Sequence, residues 1–222
     1  MHFAHGYLQH TFLSPLSNVR DDQYGGEPLE NRFRWPLRIA KLCREAWPDK
    51  PLFLRISASD WADALGPERS SDGKWKWWGI QQSKLFVAEL QKIGIDLVDV
   101  SSGGLWEKQD IKVGPGYQVS PKNQSDYRLA KAPVQVPFAE EIKKAIPDML
   151  LGSVGMITSP TQAESYLTQG KTDAVFLARE FIRNPHWVLQ AAQELGVAVK
   201  PACQYERGWT IKPLINEDRV KN

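Results

Sequence analysis

The sequence predicts an α/β fold in which parallel strands are covered by helices. Two observations carry this: strand-like and helix-like segments alternate along the chain, and the strand segments are unbroken apolar runs of the kind buried on both faces. A third is the run of glycines and polar residues where several strand segments end, the end at which such folds keep their chemistry. At 222 residues the chain can bury a good core in one domain, or just two.

His2-Phe-Ala-His5-Gly-Tyr7 comes first. Two imidazoles three apart, a glycine and a phenol make a compact donor set, able to hold a carbonyl oxygen and deliver a proton. In a straight strand positions i and i+3 point to opposite faces, so the imidazoles converge only where a strand gives way to a loop. Spacing alone would equally suit two ordinary surface histidines near a terminus. Phe12 to Gly26 is rich in turn formers and reads as a long ordered loop. From Glu30 to Ala46, apolar Phe33, Leu37, Ala40 and Trp47 recur at near-helical spacing, and Pro48 closes that helix. Pro51 to Asp60 is a buried strand whose polar end begins at Ser57. Trp61 to Gly79 carries Gly, Pro, Ser and charge and reads as a surface excursion.

Gln82 to Ile93 is a second amphipathic helix, stopped by Gly94. Ile95 to Val100 is the next strand, ending in Ser101-Ser-Gly-Gly104. Ala139 to Ala145 is helical, and Met149 to Ile157 is a strand with glycines towards its end. A helix from Pro160 to Gln169, a strand from Asp173 to Ala178 and a helical stretch through Glu194 follow. Gly152-Ser-Val-Gly155 leaves backbone N–H groups bare, and Arg179 stands at a strand-to-helix junction. A phosphate there would meet amides, a helix N-terminus and a guanidinium. The same glycines could instead serve only close packing.

Composition narrows the function classes. Hydrophobic content of 42% and charged content of 24% are those of an ordinary globular protein,. A net charge of +2 without a basic run gives no reason to expect nucleic acid or an anionic membrane surface,. No apolar stretch approaches a membrane span, and the N-terminus lacks a signal-peptide pattern. Cys43 and Cys203 are too few and too far apart for a disulfide framework or a zinc cage, and no ligand set for a metal lies at usable spacing. A reducing, cytoplasmic setting fits best.

Five motifs occur in register: His-x-x-His-Gly-Tyr, Phe-Leu-Ser-Pro-Leu-Ser-Asn-x-Arg-x-Asp-x-Tyr-Gly-Gly, Leu-Arg-Ile-Ser-Ala-Ser-Asp, Val-Gly-Met-Ile and Gln-Tyr-Glu-Arg-Gly-Trp. Together they resemble the Old Yellow Enzyme family, in its YqjM-like (thermophilic-type) branch of FMN-dependent ene-reductases. The likeness runs from His2 to Trp209, interrupted around 67–78 and 119–135. It implies a (β/α)8 TIM barrel holding FMN at its C-terminal mouth, reduced by NADPH and reducing the C=C bond of α,β-unsaturated carbonyl compounds. By position, His2 and His5 would grip the carbonyl oxygen, and Tyr7 would protonate the α-carbon. Arg55 would face the flavin's N1–C2 edge, and Gly155, Ala178 and Arg179 would line its phosphate. The family commonly has glycine where Ala178 stands. Arg207 matches an arginine that reaches into a neighbouring subunit's site in this branch, so a homo-oligomer is implied.

The resemblance covers the family's C-terminal half only: one partial barrel domain over 1–222, with the His cluster at the end of the fourth strand and four later β/α units. Alone, such a chain is expected to bind flavin poorly and turn over little. It could also be a non-catalytic half-barrel fragment that pairs with another half, or a phosphate-ligand barrel without flavin chemistry. Residues 201–222 read as a C-terminal tail.

Residues 119–135 interrupt the family's Gly-Tyr-Gln-Val-Pro-Phe-Ala and are polar and aperiodic. They open with Val-Ser, which GTGAGT or GTAAGT could encode, and close with Gln, which CAG could encode. We expect a short retained intron read in frame, with a genuine surface loop as the alternative. Transcript reads joining codon 118 directly to codon 136 are the expected result; transcripts that all carry the insert would end the idea.

Overall fold

The computed structural model describes residues 1–109, 111 and 135–210. The segment 119–134, most of the expected insertion, and the tail beyond 210 lie outside the described residues. Among the described residues five strands form one sheet: β1 (His2–Phe3), β2 (Phe53–Ser57), β3 (Leu97–Ser101), β4 (Leu150–Val154) and β5 (Ala174–Phe176). Their spatial order is their chain order, and every pairing is parallel. A doubly wound sheet reverses direction about its first strand. This one does not reverse, and it advances one strand at a time as a barrel wall does.

The helices follow the strands: α1 (Leu8–Leu13), α2 (Leu29–Ala46), α3 (Ile80–Ile93), α4 (Val136–Ala145), α5 (Pro160–Thr168), α6 (Arg179–Arg183), α7 (Trp187–Glu194) and α8 (Glu206–Thr210). Leu54, Ile56, Val98, Val100 and Leu151 are fully buried and pack with Phe33, Ala40, Phe86, Leu90, Ala139 and Ile142 of the covering helices. Each such aliphatic side chain removed from water contributes about 1.5–3 kcal/mol. Gly94 ends α3 as expected, at φ 89 with its N–H on the carbonyls of Leu90 and Gln91, the left-handed conformation that glycine adopts without a Cβ clash.

A buried arginine ties the helices on this side. Arg32 is fully buried and donates to Gln82 Oε1 at 2.8 Å and to the carbonyl of Leu13. Burial pushes it down to about 10, although Glu27, Asp60 and Glu68 pull the other way.

Three sequence expectations change. Phe12–Gly26 is not loop throughout, because α1 runs to Leu13. The last helical stretch breaks at Asn184, before Pro185, into α6 and α7, as the lost proline N–H requires. Trp61–Gly79 is no surface excursion at its ends. Trp61 and Trp77 are buried and Trp78 is fully so. The Trp78 indole donates to the carbonyl of Ser57 at 2.7 Å and meets Phe33 and Phe86 edge-on, both at 6.1 Å. Gly, Pro and charge fill the middle of that segment, which masked two ends that plug the sheet.

Trp78→Ala leaves a large void under the end of β2. It is expected to cost roughly 3–5 kcal/mol, read as a lower urea midpoint at unchanged m-value.

Candidate functional site

Pairing in step sets the first tier of the site. His2 lies opposite Arg55, Arg55 opposite Asp99, and Asp99 opposite Gly152. Alternate residues of a strand share a face, so these four form one row across four strands, on the face away from the helices. Arg55 Nε donates to Asp99 Oδ2. Gly152 is a notch, since a Cβ there would fall 2.2 Å from the Phe176 ring.

Two residues further along comes a second tier, Ser57 opposite Ser101, and it holds His5. The His5 backbone N–H donates to Ser57 Oγ at 2.9 Å, and His5 Nε2 lies 2.7 Å from Ser101 Oγ. The chain leaves β1 by a tight turn in which Tyr7 N–H donates to the Ala4 carbonyl at 3.2 Å, with His5 at φ 58 and Gly6 at φ 75. Two left-handed central residues are the mark of a primed turn. The turn packs backbone to backbone on the loop after β3: a Cβ on Gly6 would lie 2.3 Å from the Gly104 carbonyl oxygen.

That turn makes the histidines converge. The His2 ring centroid is 5.2 Å from that of His5 and 5.2 Å from that of Tyr7. Tyr7 is exposed at 64%, so the cluster faces solvent at the phenol. Among the described residues three non-glycines have positive φ: His5, Trp61 and Met156. They follow β1, β2 and β4, so the backbone strain collects at one end of the sheet, where strain and function tend to coincide.

Electrostatics keep both imidazoles neutral. Burial pushes His5 down to about 4, with His2, Arg55 and His10 adding to the effect. Burial also lowers His2, helped by Arg55 and the N-terminal amine against Asp99. Burial raises Asp99 despite the guanidinium beside it. Its Oδ1 is buried without a hydrogen-bond partner.

The second half of the mouth is a cleft of about 440 Å³ at the ends of β4 and β5, lined by Gly155, Met156, Ala178, Arg179, Glu180 and Arg183 among others. Arg179 opens α6 directly behind β5. Ala178 has a negative φ of −111, so the left-handed conformation that favours glycine is not required at this position. A Cβ on Gly155 would come 1.9 Å from Gln135 Oε1, itself a buried acceptor without a partner. Because all strands are parallel, this cleft and the His cluster share one end of the sheet. Arg207 sits on α8, exposed.

Asp99, Ser101 and Gln135 lie in no motif, and Ser57 stands in Leu-Arg-Ile-Ser-Ala-Ser-Asp without a role of its own. For Asp99, Ser57 and Ser101 the one trace in the sequence is polarity at alternate positions of otherwise apolar strands; Gln135, just before α4, has none.

Comparison with known proteins gives one family. The model of the NADH:flavin oxidoreductase / NADH oxidase family matches residues 1–197. An NADPH dehydrogenase of Geobacillus sp. (strain WCH70) is 44% identical over 209 residues, 94% of this chain and 52% of the relative. An NADPH dehydrogenase of Bacillus subtilis (strain 168) is 42% identical with the same coverage. The chain thus spans about half the length of the curated relatives it matches. Histamine dehydrogenase from Rhizobium sp. 4-9 shares the fold at TM-score 0.61 and 25% identity, over 88% of this chain and 24% of its own. Morphinone reductase in complex with tetrahydroNAD does so at 0.56 and 20%, over 91% and 45%.

The low pKa of His5 has a consequence for stability. Unfolding returns it to its ordinary 6.5 from about 4, so the unfolded chain takes up the proton first. Its contribution is full above about pH 6.5 and is lost as pH falls towards about 4,. Urea midpoints should decline across that window, and decline less in His5→Asn.

Proposed function

Because the chain belongs to the NADH:flavin oxidoreductase / NADH oxidase family, the Old Yellow Enzyme family its motifs resemble, we propose that it supplies the second half of an FMN-dependent, NADPH-oxidising ene-reductase barrel. The observation that carries this is the single rim on which the His2–Arg55–Asp99 row, the His5 turn and the Gly155–Arg179 cleft stand together. The five strands are one arc of an eight-stranded wall.

The residues present fit the cofactor. Arg179 lines the cleft and would bring a guanidinium to a phosphate,, while Arg183 lines it in an ion pair with Glu180 Oε2 at 2.6 Å. The partnerless Asp99 Oδ1 suits a hydroxyl or N–H donor of a bound molecule. Arg55, in the row between the histidines and the cleft, would hold the electron-rich edge of the ring system. When bound and reduced by NADPH, FMN supplies a hydride to the β-carbon of an α,β-unsaturated carbonyl compound.

The chain's own groups do the rest. His2 and His5, neutral and close together, donate hydrogen bonds to the carbonyl oxygen and stabilise the charge that gathers there. Ser101, engaging His5 Nε2, leaves Nδ1 as the nitrogen offered to substrate. Tyr7, beside His2 and open to solvent, delivers the proton to the α-carbon. Arg207 contributes to a neighbouring copy's pocket in a homo-oligomer.

A chimera joining this chain to the first half of one of the curated relatives tests the proposal. It should bind FMN and oxidise NADPH in the presence of cyclohex-2-enone. Loss of one donor, as in His2→Ala or His5→Ala, should cost about 10²–10³ in kcat. A flavin-loaded chimera whose enone reduction ignores both substitutions would refute the assignment.

A further inference from the structure

His10 is fully buried in α1 and plays no part in the chemistry above. We propose that His10, backed by Asp60, is a positioning residue that sets the His5–Gly6 turn and thereby aims the His5 imidazole; its bearing on catalysis rests on the role proposed for His5, while the positioning itself stands on the contacts that follow.

The His5–Gly6 turn points two successive amide N–H groups inward. Each needs an acceptor, because an inward amide left unpaired is strongly unfavourable. The His5 amide finds Ser57 Oγ, and the Gly6 amide donates to His10 Nδ1 at 3.0 Å. An imidazole nitrogen that accepts carries no proton, so in the neutral ring the proton sits on Nε2. Nε2 faces Asp60 Oδ1 at 3.0 Å, close but out of line with a straight N–H bond. Asp60 is also fully buried. Its other oxygen, Oδ2, accepts the Ser14 hydroxyl at 2.6 Å and the Trp78 amide at 2.9 Å. One carboxylate therefore ties the end of α1 and the approach to α3 to the ring that holds Gly6. The histidine tautomer is the link: only with the proton towards Asp60 can Nδ1 receive the turn.

This makes Asp60→Asn a sharp test. Two donors, Ser14 and Trp78, fix the side-chain oxygen where Oδ2 stands, which leaves the new amide NH₂ facing His10 Nε2. The ring must then accept at Nε2 and carry its proton on Nδ1, against the Gly6 N–H. Imidazole ¹H–¹⁵N correlation spectra of the full chain, taken without flavin or substrate, read the tautomer directly. Wild type should show the proton on Nε2 with a protected Gly6 amide. Asp60→Asn should show it on Nδ1, with Gly6 exchanging at least tenfold faster and the His5 ring resonances displaced. His10→Asn, which keeps an oxygen near the place of Nδ1, should retain Gly6 protection, whereas His10→Leu should lose it. Should His10→Leu not fold, the Asp60→Asn and His10→Asn pair decides. The idea is overturned if wild-type His10 carries its proton on Nδ1, or if Asp60→Asn leaves both the tautomer and Gly6 exchange as they were. Because no flavin is present, these results stand apart from the enone assay: lost reductase activity with an intact tautomer pattern counts against the proposed reaction, not against the positioning.

Discussion

In-step parallel pairing of β1, β2 and β3 is the constraint on which the rest depends. Strand side chains alternate with a period of two, so a slip of one residue would send Arg55 and Asp99 to the helix side and bring Leu54 and Val98 to the mouth. The aliphatic set Leu54, Ile56, Val98 and Val100, all fully buried against helices, fixes that register. The apolar face thus determines where the polar face puts its charges. No contact within the site need be strong for the site to be well placed.

That division explains what was legible in the sequence. The alternation of elements, the stop at Gly94 and the convergence of His2 with His5 were readable, because each rests on local rules: periodicity, a left-handed cap, a chain leaving extended geometry. The partners of Ser57 and Ser101 were not. The contact from His5 to Ser101 spans 96 residues, and a serine in an apolar strand gives no local sign of what it will meet. Trp61 and Trp78 misled for the opposite reason. Their neighbours are Gly, Pro, Ser and charge, so the segment averaged to a surface loop while its ends carried side chains large enough to seal the sheet.

Charge at the mouth is arranged so that donors stay neutral. A protonated imidazole beside the Arg55 guanidinium would set like charges together in a partly desolvated place, and both histidines are lowered accordingly. Asp99 compensates the guanidinium from the far side of the row, under burial that works against its own ionisation. Burial is the leading cause for each group, and the neighbouring charges adjust it. Changing Arg55 would alter the histidines as well as any ligand it touches.

The two tiers differ in kind, and the difference is physical. The lower tier carries the Arg55–Asp99 ion pair, whose charges tolerate burial only in company. The upper tier consists of hydroxyls, which can accept from one neighbour while donating to another: Ser57 Oγ takes the His5 amide and gives its proton to the Gly103 carbonyl at 2.8 Å. Such a bifunctional group can join two loops without adding charge. It binds the turn after β1 to the loop after β3, and the approach of Gly6 to Gly104 closes the same gap by shape. A bulkier or singly functional side chain at position 57 would lose one of these loops, and the ring of His5 would lose its fixed direction with it. Precision at the mouth comes from hydroxyls and glycines beneath the histidines rather than from the histidines themselves.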